Sequence, residues 1–450
     1  MIRICFLWLC LLAGPALSAS YVTKTLPTSH LLLPKQTPES VVVLVSDADG
    51  WSADEAAVAE RLVARKAAVI GVDLPQWYAA LSASPADCLY LVSDIETLTQ
   101  QIHREAKIAT YRAPIVAGAR EGGALALAIT AQSPPATIGE MLAVDPTAAI
   151  PLKTVLCTPA SKQASAEGTV YGLTPGALPH PVSIELGRAA GLDGRAHAAA
   201  LKAAHPAIEL AEREGSDPAW ARLGARLEGA LDRLATAHSP LDLPIIPIEA
   251  RARFDTMAII YSGDGGWRDI DKKLAVFLQA DGVPVVGVDA LRYFWRERSP
   301  DETAADLARI IDSYRTRWRV KNVVLIGYSF GANILPATLT RLPEAQARHV
   351  SLVSLLALGR HADFQISVMG WLGVSGPGKH GDPIADLKTL RTDLVQCVYG
   401  LEEKDTGCPD VQSLPGAEVI ARPGGHHFDG NYKIIADAIM KRIRAEAAAR

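Results

Sequence analysis

A chain of 450 residues exceeds the usual size of one hydrophobic core, so two domains are the first expectation. Its residues are 49% apolar and 21% charged, an ordinary globular balance that excludes a disordered majority. The formal charge of −4, with no long Lys or Arg run, gives no footprint for nucleic acid.

Residues 1–19 carry Arg3 near their start, then an apolar stretch from Ile4 to Ala13, and reach small residues near Ala16-Leu17-Ser18. That is the pattern of a secretory signal peptide. No later segment has about 18 consecutive apolar residues, so the exported protein is expected to be soluble. Cys88, Cys157, Cys397 and Cys408 remain after the signal. An even count in an exported chain points to disulfides, and one bridge per half, Cys88–Cys157 and Cys397–Cys408, is the simplest pairing.

Residues 41–78 and 257–294 run in parallel. Each has an apolar strand ending in Ser-x-x-x-Gly-Trp, an amphipathic stretch, and a second strand ending in Gly-Val-Asp. Trp51 to Asp73 and Trp267 to Asp289 both span 22 residues, so the blocks align without insertion. Each half then predicts a helix, a further apolar strand and a Gly-x-x-x-Gly turn, at Gly118–Gly122 and Gly327–Gly331. Continuous apolar runs such as VVVLV, PVVGV and VVLIG suit strands buried on both faces of a parallel sheet. The class is therefore α/β, a duplicated, doubly wound arrangement. A charged, alanine-rich helical region over 191–238 leads to SPLDLPIIPIEARARF, where Pro240, Pro244 and Pro247 read as an extended linker. The domains are placed at 20–240 and 245–450.

In the second half, Gly327-Tyr328-Ser329-Phe330-Gly331 lies between a strand and a helix start. This is the setting of a nucleophile elbow, in which the glycines allow close backbone approach and the serine hydroxyl stands exposed. The partners of such a serine follow in the order acid, then histidine. The strand LVQCVYG leads into a loop with Glu402, Glu403 and Asp405, and VIARPGGHHFDGN supplies His426 and His427. Ser329 is assigned as nucleophile, His426 as base and Asp405 as the orienting acid. Asp405 is preferred over Glu402 and Glu403 for its compact loop beside the Cys397–Cys408 bridge. His426 is preferred over His427 because it follows Gly424-Gly425 directly. The oxyanion hole is assigned to the amides of Phe330, Asp264 and Gly265, the last two from the glycine-rich loop Ser262–Trp267.

The first half keeps the frame but places Arg120 at the elbow, and it has no His-His on a glycine loop. It reads as a degenerate, non-catalytic copy, making the fold two tandem α/β-hydrolase-like domains. Arg120 either binds a head group or partner or forms a surface salt bridge. Asp73 and Asp289 read as loop-holding residues, and Tyr293, Phe294 and Trp295 as a packed helix start or an acyl-binding rim. Trp371 could sit in an apolar cap or close the core. No H-E-x-x-H, C-x-x-C pair or P-loop is present, so neither metal nor cofactor is expected.

The stretches SGDGGW (262–267), IGYSFGAN (326–333), CVYGLEEKDTGCP (397–409) and RPGGHHFDGNY (422–432) resemble the VirJ family of exported bacterial virulence proteins. The duplicated chain is similar to the longer, AcvB-like form, with Asn333 where the family often has aspartate. The resemblance implies a periplasmic α/β-hydrolase acting on aminoacyl-phosphatidylglycerol at the inner-membrane surface, releasing lysine or alanine. Asp264 or Asp269 could then receive the substrate's ammonium group. The family's association with type IV secretion supports a second reading, a periplasmic binding factor or chaperone, and a soluble small-molecule esterase is a third.

Overall fold

The computed structural model describes residues 21–108, 110–236, 240–366 and 379–449. The expected signal peptide and Trp371 lie outside the described residues. The apolar runs form two seven-stranded sheets. The first begins with β1 (His30–Leu32), β2 (Ser40–Val45), β3 (Ala67–Val72), β4 (Ile115–Ala119) and β5 (Glu140–Val144). A small antiparallel sheet follows, made of β6 (Ala149–Ile150), β7 (Lys162–Ser165) and β8 (Gly168–Tyr171). The first large sheet is completed by β9 (Val182–Leu186) and β10 (Glu209–Glu212). The second comprises β11 (Ile245–Ile248), β12 (Thr256–Tyr261), β13 (Val285–Val288), β14 (Asn322–Tyr328), β15 (Val350–Leu356), β16 (Val395–Gly400) and β17 (Glu418–Arg422).

The strand orders are β1-β3-β2-β4-β5-β9-β10 and β11-β13-β12-β14-β15-β16-β17. In each, the first strand pairs antiparallel at one edge and all other pairings are parallel. The two sheets share one topology, that of a tandem α/β-hydrolase fold. Side chains alternate across each sheet, as strand geometry requires. Met257, Ile259 and Tyr261 of β12 enter one core, while Ala258 and Ile260 enter the core on the opposite face.

The repeated sequence frame has a packing cause. The Trp51 indole lies against Gly71 and the Trp267 indole against Gly287, where an added Cβ would come within 2.4 and 2.5 Å of the ring. A tryptophan on the loop after one strand therefore demands a glycine on the neighbouring strand. Two residues on, Asp73 accepts from the Gln76 amide at 3.0 Å and Asp289 from the Arg292 amide at 3.1 Å. Both aspartates are helix N-caps, and in the first half the Trp51 amide also donates to Asp73 Oδ2 at 3.0 Å, which ties the aspartate to the tryptophan loop.

The proline-rich segment is partly structured. Pro240–Asp242 is a 3₁₀ turn, and Ile245–Ile248 pairs antiparallel with β13 as the edge of the second sheet. Pro247 is tolerated there because an edge strand leaves one row of amides without a sheet partner. Tyr293, Phe294 and Trp295 are at most 2% exposed, so they pack inside and form no rim.

The halves are locked together near this aromatic layer. Tyr111, from the loop before β4, is 1% exposed and joins the core of the second half beside Trp295. The Arg104 guanidinium stacks 3.6 Å from the Trp295 ring centroid and donates to the carbonyls of Trp295 and Ile366. Next to it, buried His103 meets the Thr99 carbonyl through Nδ1 at 2.8 Å, and its Nε2 accepts from the Arg112 amide at 3.2 Å. These partners define a neutral ring protonated at Nδ1. Burial above all, with Arg112 and Arg104 nearby, pushes the His103 pKa down to about 4.

An unfolded histidine titrates near ~6.5, so between about 4 and 6.5 the unfolded chain binds the extra proton. The stabilisation is complete above the upper value and is lost as pH falls toward the lower one, about 3 kcal/mol in all. Urea unfolding at pH 7 and pH 4.5 is expected to show this slope, and His103→Gln to flatten it. An unchanged slope in the variant would remove the assignment.

Candidate active site

Strand β14 ends at Tyr328, and Ser329 turns the chain into helix Phe330–Leu339 with φ 52° and ψ −113°. A positive φ is strained for a serine and is tolerated where the surroundings enforce it. Here they do. A Cβ on Gly327 would lie 2.5 Å from the Gly331 carbonyl oxygen, and one on Gly331 would lie 2.2 Å from that of Tyr261. Both glycines are required for the helix to start directly above the sheet. Ser329 makes no side-chain cap, which leaves its hydroxyl available.

His426 reaches that hydroxyl from the loop after β17, with Nε2 2.9 Å from Ser329 Oγ. Its Nδ1 lies 2.6 Å from Glu403 Oε1. A carboxylate only accepts, so Nδ1 carries the proton and Nε2 is free to accept from the serine. The result is a continuous chain from hydroxyl to imidazole to carboxylate.

The acid position corrects the sequence reading. Glu403 pairs with the histidine, and Asp405, like Glu402, is exposed. The cause is backbone pairing beyond the strand ends. Leu401 and Glu402 donate to the carbonyls of Arg422 and Gly424 at 2.8 and 3.0 Å, and the Glu403 amide turns back to Gly400 at 3.0 Å. A Cβ on Gly400 would come within 2.2 Å of the Gly425 carbonyl oxygen, so only glycine lets the acid and histidine loops approach this closely. The turn brings Glu403 to the histidine two residues before Asp405. Its side chain is 9% exposed, and Oε2 is buried without a partner.

His427 has a different position: its Nδ1 lies 2.9 Å from the Tyr328 hydroxyl. That hydroxyl also donates to the His426 carbonyl at 3.2 Å, which ties the histidine loop to the elbow. Burial raises the Tyr328 pKa, followed by the nearby Asp271 carboxyl, so the phenol stays protonated and can donate. Phe428 is buried below the loop.

Phe330 is the first residue of its helix, so its amide lacks an intrahelical acceptor and sits at the positive end of the helix dipole. The loop after β12 runs alongside. A Cβ on Gly263 would stand 3.7 Å from Ser329 Cβ, and the Gly266 amide closes a turn onto the Gly263 carbonyl at 3.0 Å. Asp264 and Gly265 occupy the centre of that turn, half-buried, and the closing bond does not use their amides. Asp269 is the exposed first residue of helix Asp269–Ala280.

Arg120 is not brought to this site. It stands at the elbow of the first half with φ 48°, and its Nη1 is 2.9 Å from Asp47 Oδ2. The salt-bridge reading describes it. Two further residues shape the second half without having been singled out for it. Asn333 Oδ1 accepts the Gly359 amide at 2.7 Å, and Tyr328 fixes the histidine loop. Tyr328 lies inside the quoted elbow, but its partner is nearly a hundred residues away in the sequence.

Both expected disulfides are formed, Cys88–Cys157 and Cys397–Cys408, and the second brackets the loop that carries Glu403. Among the described residues, no group of three or more His, Cys, Asp or Glu side chains is placed to hold a metal ion. No helix among them is long and apolar enough to cross a membrane.

Several solved structures are similar over part of the chain. A lipase-esterase related protein from Clostridium acetobutylicum is 18% identical, covering 44% of this chain and 98% of its own, with a TM-score of 0.34. An esterase from Exiguobacterium antarcticum is 12% identical, covering 44% and 94%, with a TM-score of 0.33. Proline iminopeptidase from Mycobacterium smegmatis is 13% identical, covering 46% and 95%, with a TM-score of 0.32. No curated protein matches the sequence. Residues 255–447 match the family described as bacterial virulence protein (VirJ). The matched residues hold the elbow, the acid loop and the histidine loop, so the likeness to the VirJ family falls on the second half of the chain.

Proposed function

We infer that the second half is a serine hydrolase whose substrate is the aminoacyl ester of aminoacyl-phosphatidylglycerol. The observation that carries the hydrolase reading is the hydrogen-bond chain Ser329–His426–Glu403. In this reading Ser329 Oγ attacks the acyl carbon while His426 Nε2 takes the hydroxyl proton. The tetrahedral oxyanion receives the amides of Phe330 and of Asp264 or Gly265. Collapse expels the glycerol oxygen of the lipid, protonated by His426, and leaves an aminoacyl-Ser329 ester. Water deprotonated by His426 then releases the free amino acid, returning the proton to Ser329. Glu403 holds the imidazole orientation throughout and stabilises its charged form.

The substrate class is supported by the VirJ match and by chemistry. An aminoacyl ester is an activated acyl donor, and its ammonium group suits the carboxylates of Asp264 and Asp269 near the oxyanion loop. Two disulfides and the expected signal peptide favour the periplasm, where such an enzyme meets the outer face of the inner membrane.

The test is release of lysine from lysyl-phosphatidylglycerol vesicles by the purified chain, with Ser329→Ala alongside. Release by the wild type alone is expected, and Asp264→Asn or Asp269→Asn should narrow its preference for lysyl over neutral acyl esters. If lysyl, alanyl and simple esters all stay intact, the binding-factor reading for secretion substrates takes its place.

A further inference from the structure

The first half carries Arg120 where the second has Ser329, yet one of its side chains reaches the loop beside the elbow of the second. Glu96, on helix Val92–Glu105, is 8% exposed and pairs through Oε1 with Arg268 Nη2. Arg268 directly follows the oxyanion loop, as the residue before helix Asp269–Ala280. Its stem lies along Gly265, where an added Cβ would stand 3.6 Å from Arg268 Cδ. One side chain thus connects the first half to the turn that runs beside the elbow.

The duplication supplies an internal comparison. At the position equivalent to Arg268, the first half has Ser52, which caps its own helix. The Asp54 amide donates to Ser52 Oγ at 3.1 Å, and the Ser52 amide donates to Glu55 at 3.0 Å. In the second half the corresponding carboxylate is the shorter Asp271, reached by the Arg268 amide only at 3.4 Å, and the arginine has no hydroxyl with which to cap. The loop that needs the most accurate placement has the weaker local cap, and its restraint comes from Glu96 instead. A second contact lies on the other side of the elbow. Arg104 holds the Trp295 carbonyl, and the neighbouring Phe294 ring packs 5.0 Å from the Phe330 ring.

We propose that Glu96 is a positioning residue for catalysis, by which the degenerate first half holds the oxyanion loop of the second through Arg268. This rests on the serine hydrolase reading. Losing one oxyanion donor costs ~100-fold or more in turnover, and displacing a loop by about 1 Å can cost a similar factor.

The experiment compares full-length wild type, Glu96→Gln, and the reversed pair Glu96→Arg with Arg268→Glu. Hydrolysis of a short-chain p-nitrophenyl ester is measured together with hydrogen exchange of residues 262–268. Glu96→Gln is expected to lower kcat ~10- to 100-fold, with KM within about twofold and faster exchange confined to that loop. The reversed pair should recover most of the loss. The proposal is overturned if Glu96→Gln keeps both kcat and loop exchange, or if protection falls across the whole chain and the reversed pair recovers nothing. Ser329→Ala run in parallel separates the two claims. If it hydrolyses as the wild type does, the nucleophile assignment fails, while loop exchange still decides whether Glu96 holds the loop.

Discussion

Ser329→Ala lowers kcat/KM for ester hydrolysis by at least ~10⁴-fold, and His426→Ala by a similar factor, with the double variant hardly worse than either. The expected non-additivity follows from the shared step. The hydroxyl is a nucleophile only while Nε2 accepts its proton, and the 2.9 Å contact sets them in one unit. Removing either would leave only the proposed oxyanion donors to act on the ester. Steady-state rates on one ester, corrected for background hydrolysis, decide it. Additive losses would mean that the two residues act separately.

Glu403→Gln lowers kcat by ~10³- to 10⁴-fold, while Asp405→Asn and Glu402→Gln stay within about threefold of wild type. The glutamine is nearly isosteric, so packing barely changes. What changes is the proton: an amide can donate to Nδ1, which favours the imidazole carrying its hydrogen on Nε2. That tautomer cannot accept from Ser329. Asp405 and Glu402 are exposed, and charge changes there should register only through screened, long-range effects. A large loss in Asp405→Asn with Glu403→Gln unaffected would restore the original choice of acid.

The elbow was legible because its chemistry is local. Gly327 and Gly331 are the only residue type that clears the Gly331 and Tyr261 carbonyls, so their four-residue spacing writes the turn directly into the sequence. The duplication was legible for the same reason. With Trp51 over Gly71 and Trp267 over Gly287, any side chain at the glycine would strike the indole, so both halves keep the same residues at the same spacing.

The acid was not legible. Three carboxylates lie within four residues, and the choice among them follows from pairing of residues 401–402 with 422–424 across two strand ends. Sequence periodicity holds no record of that register. The Gly400-to-Glu403 turn is the one local signal, and it outweighs the preference for aspartate that the disulfide-bracketed loop suggested. β11 was missed because Pro247 and the two prolines before the strand read as a linker, whereas an edge strand accepts Pro247. The contact of Glu96 with Arg268 was beyond reach for a simpler reason. It joins residues 172 positions apart, through the packing of one half on the other.

The central claim is that Ser329 is an activated nucleophile in a chain of three groups. Its most direct test is the site of covalent modification by a fluorophosphonate, read by mass spectrometry of the full chain after proteolysis. The account predicts a single adduct on Ser329 in the wild type, formed far more slowly in His426→Ala and in Glu403→Gln. An unmodified Ser329, or labelling at the same rate in His426→Ala, would contradict it.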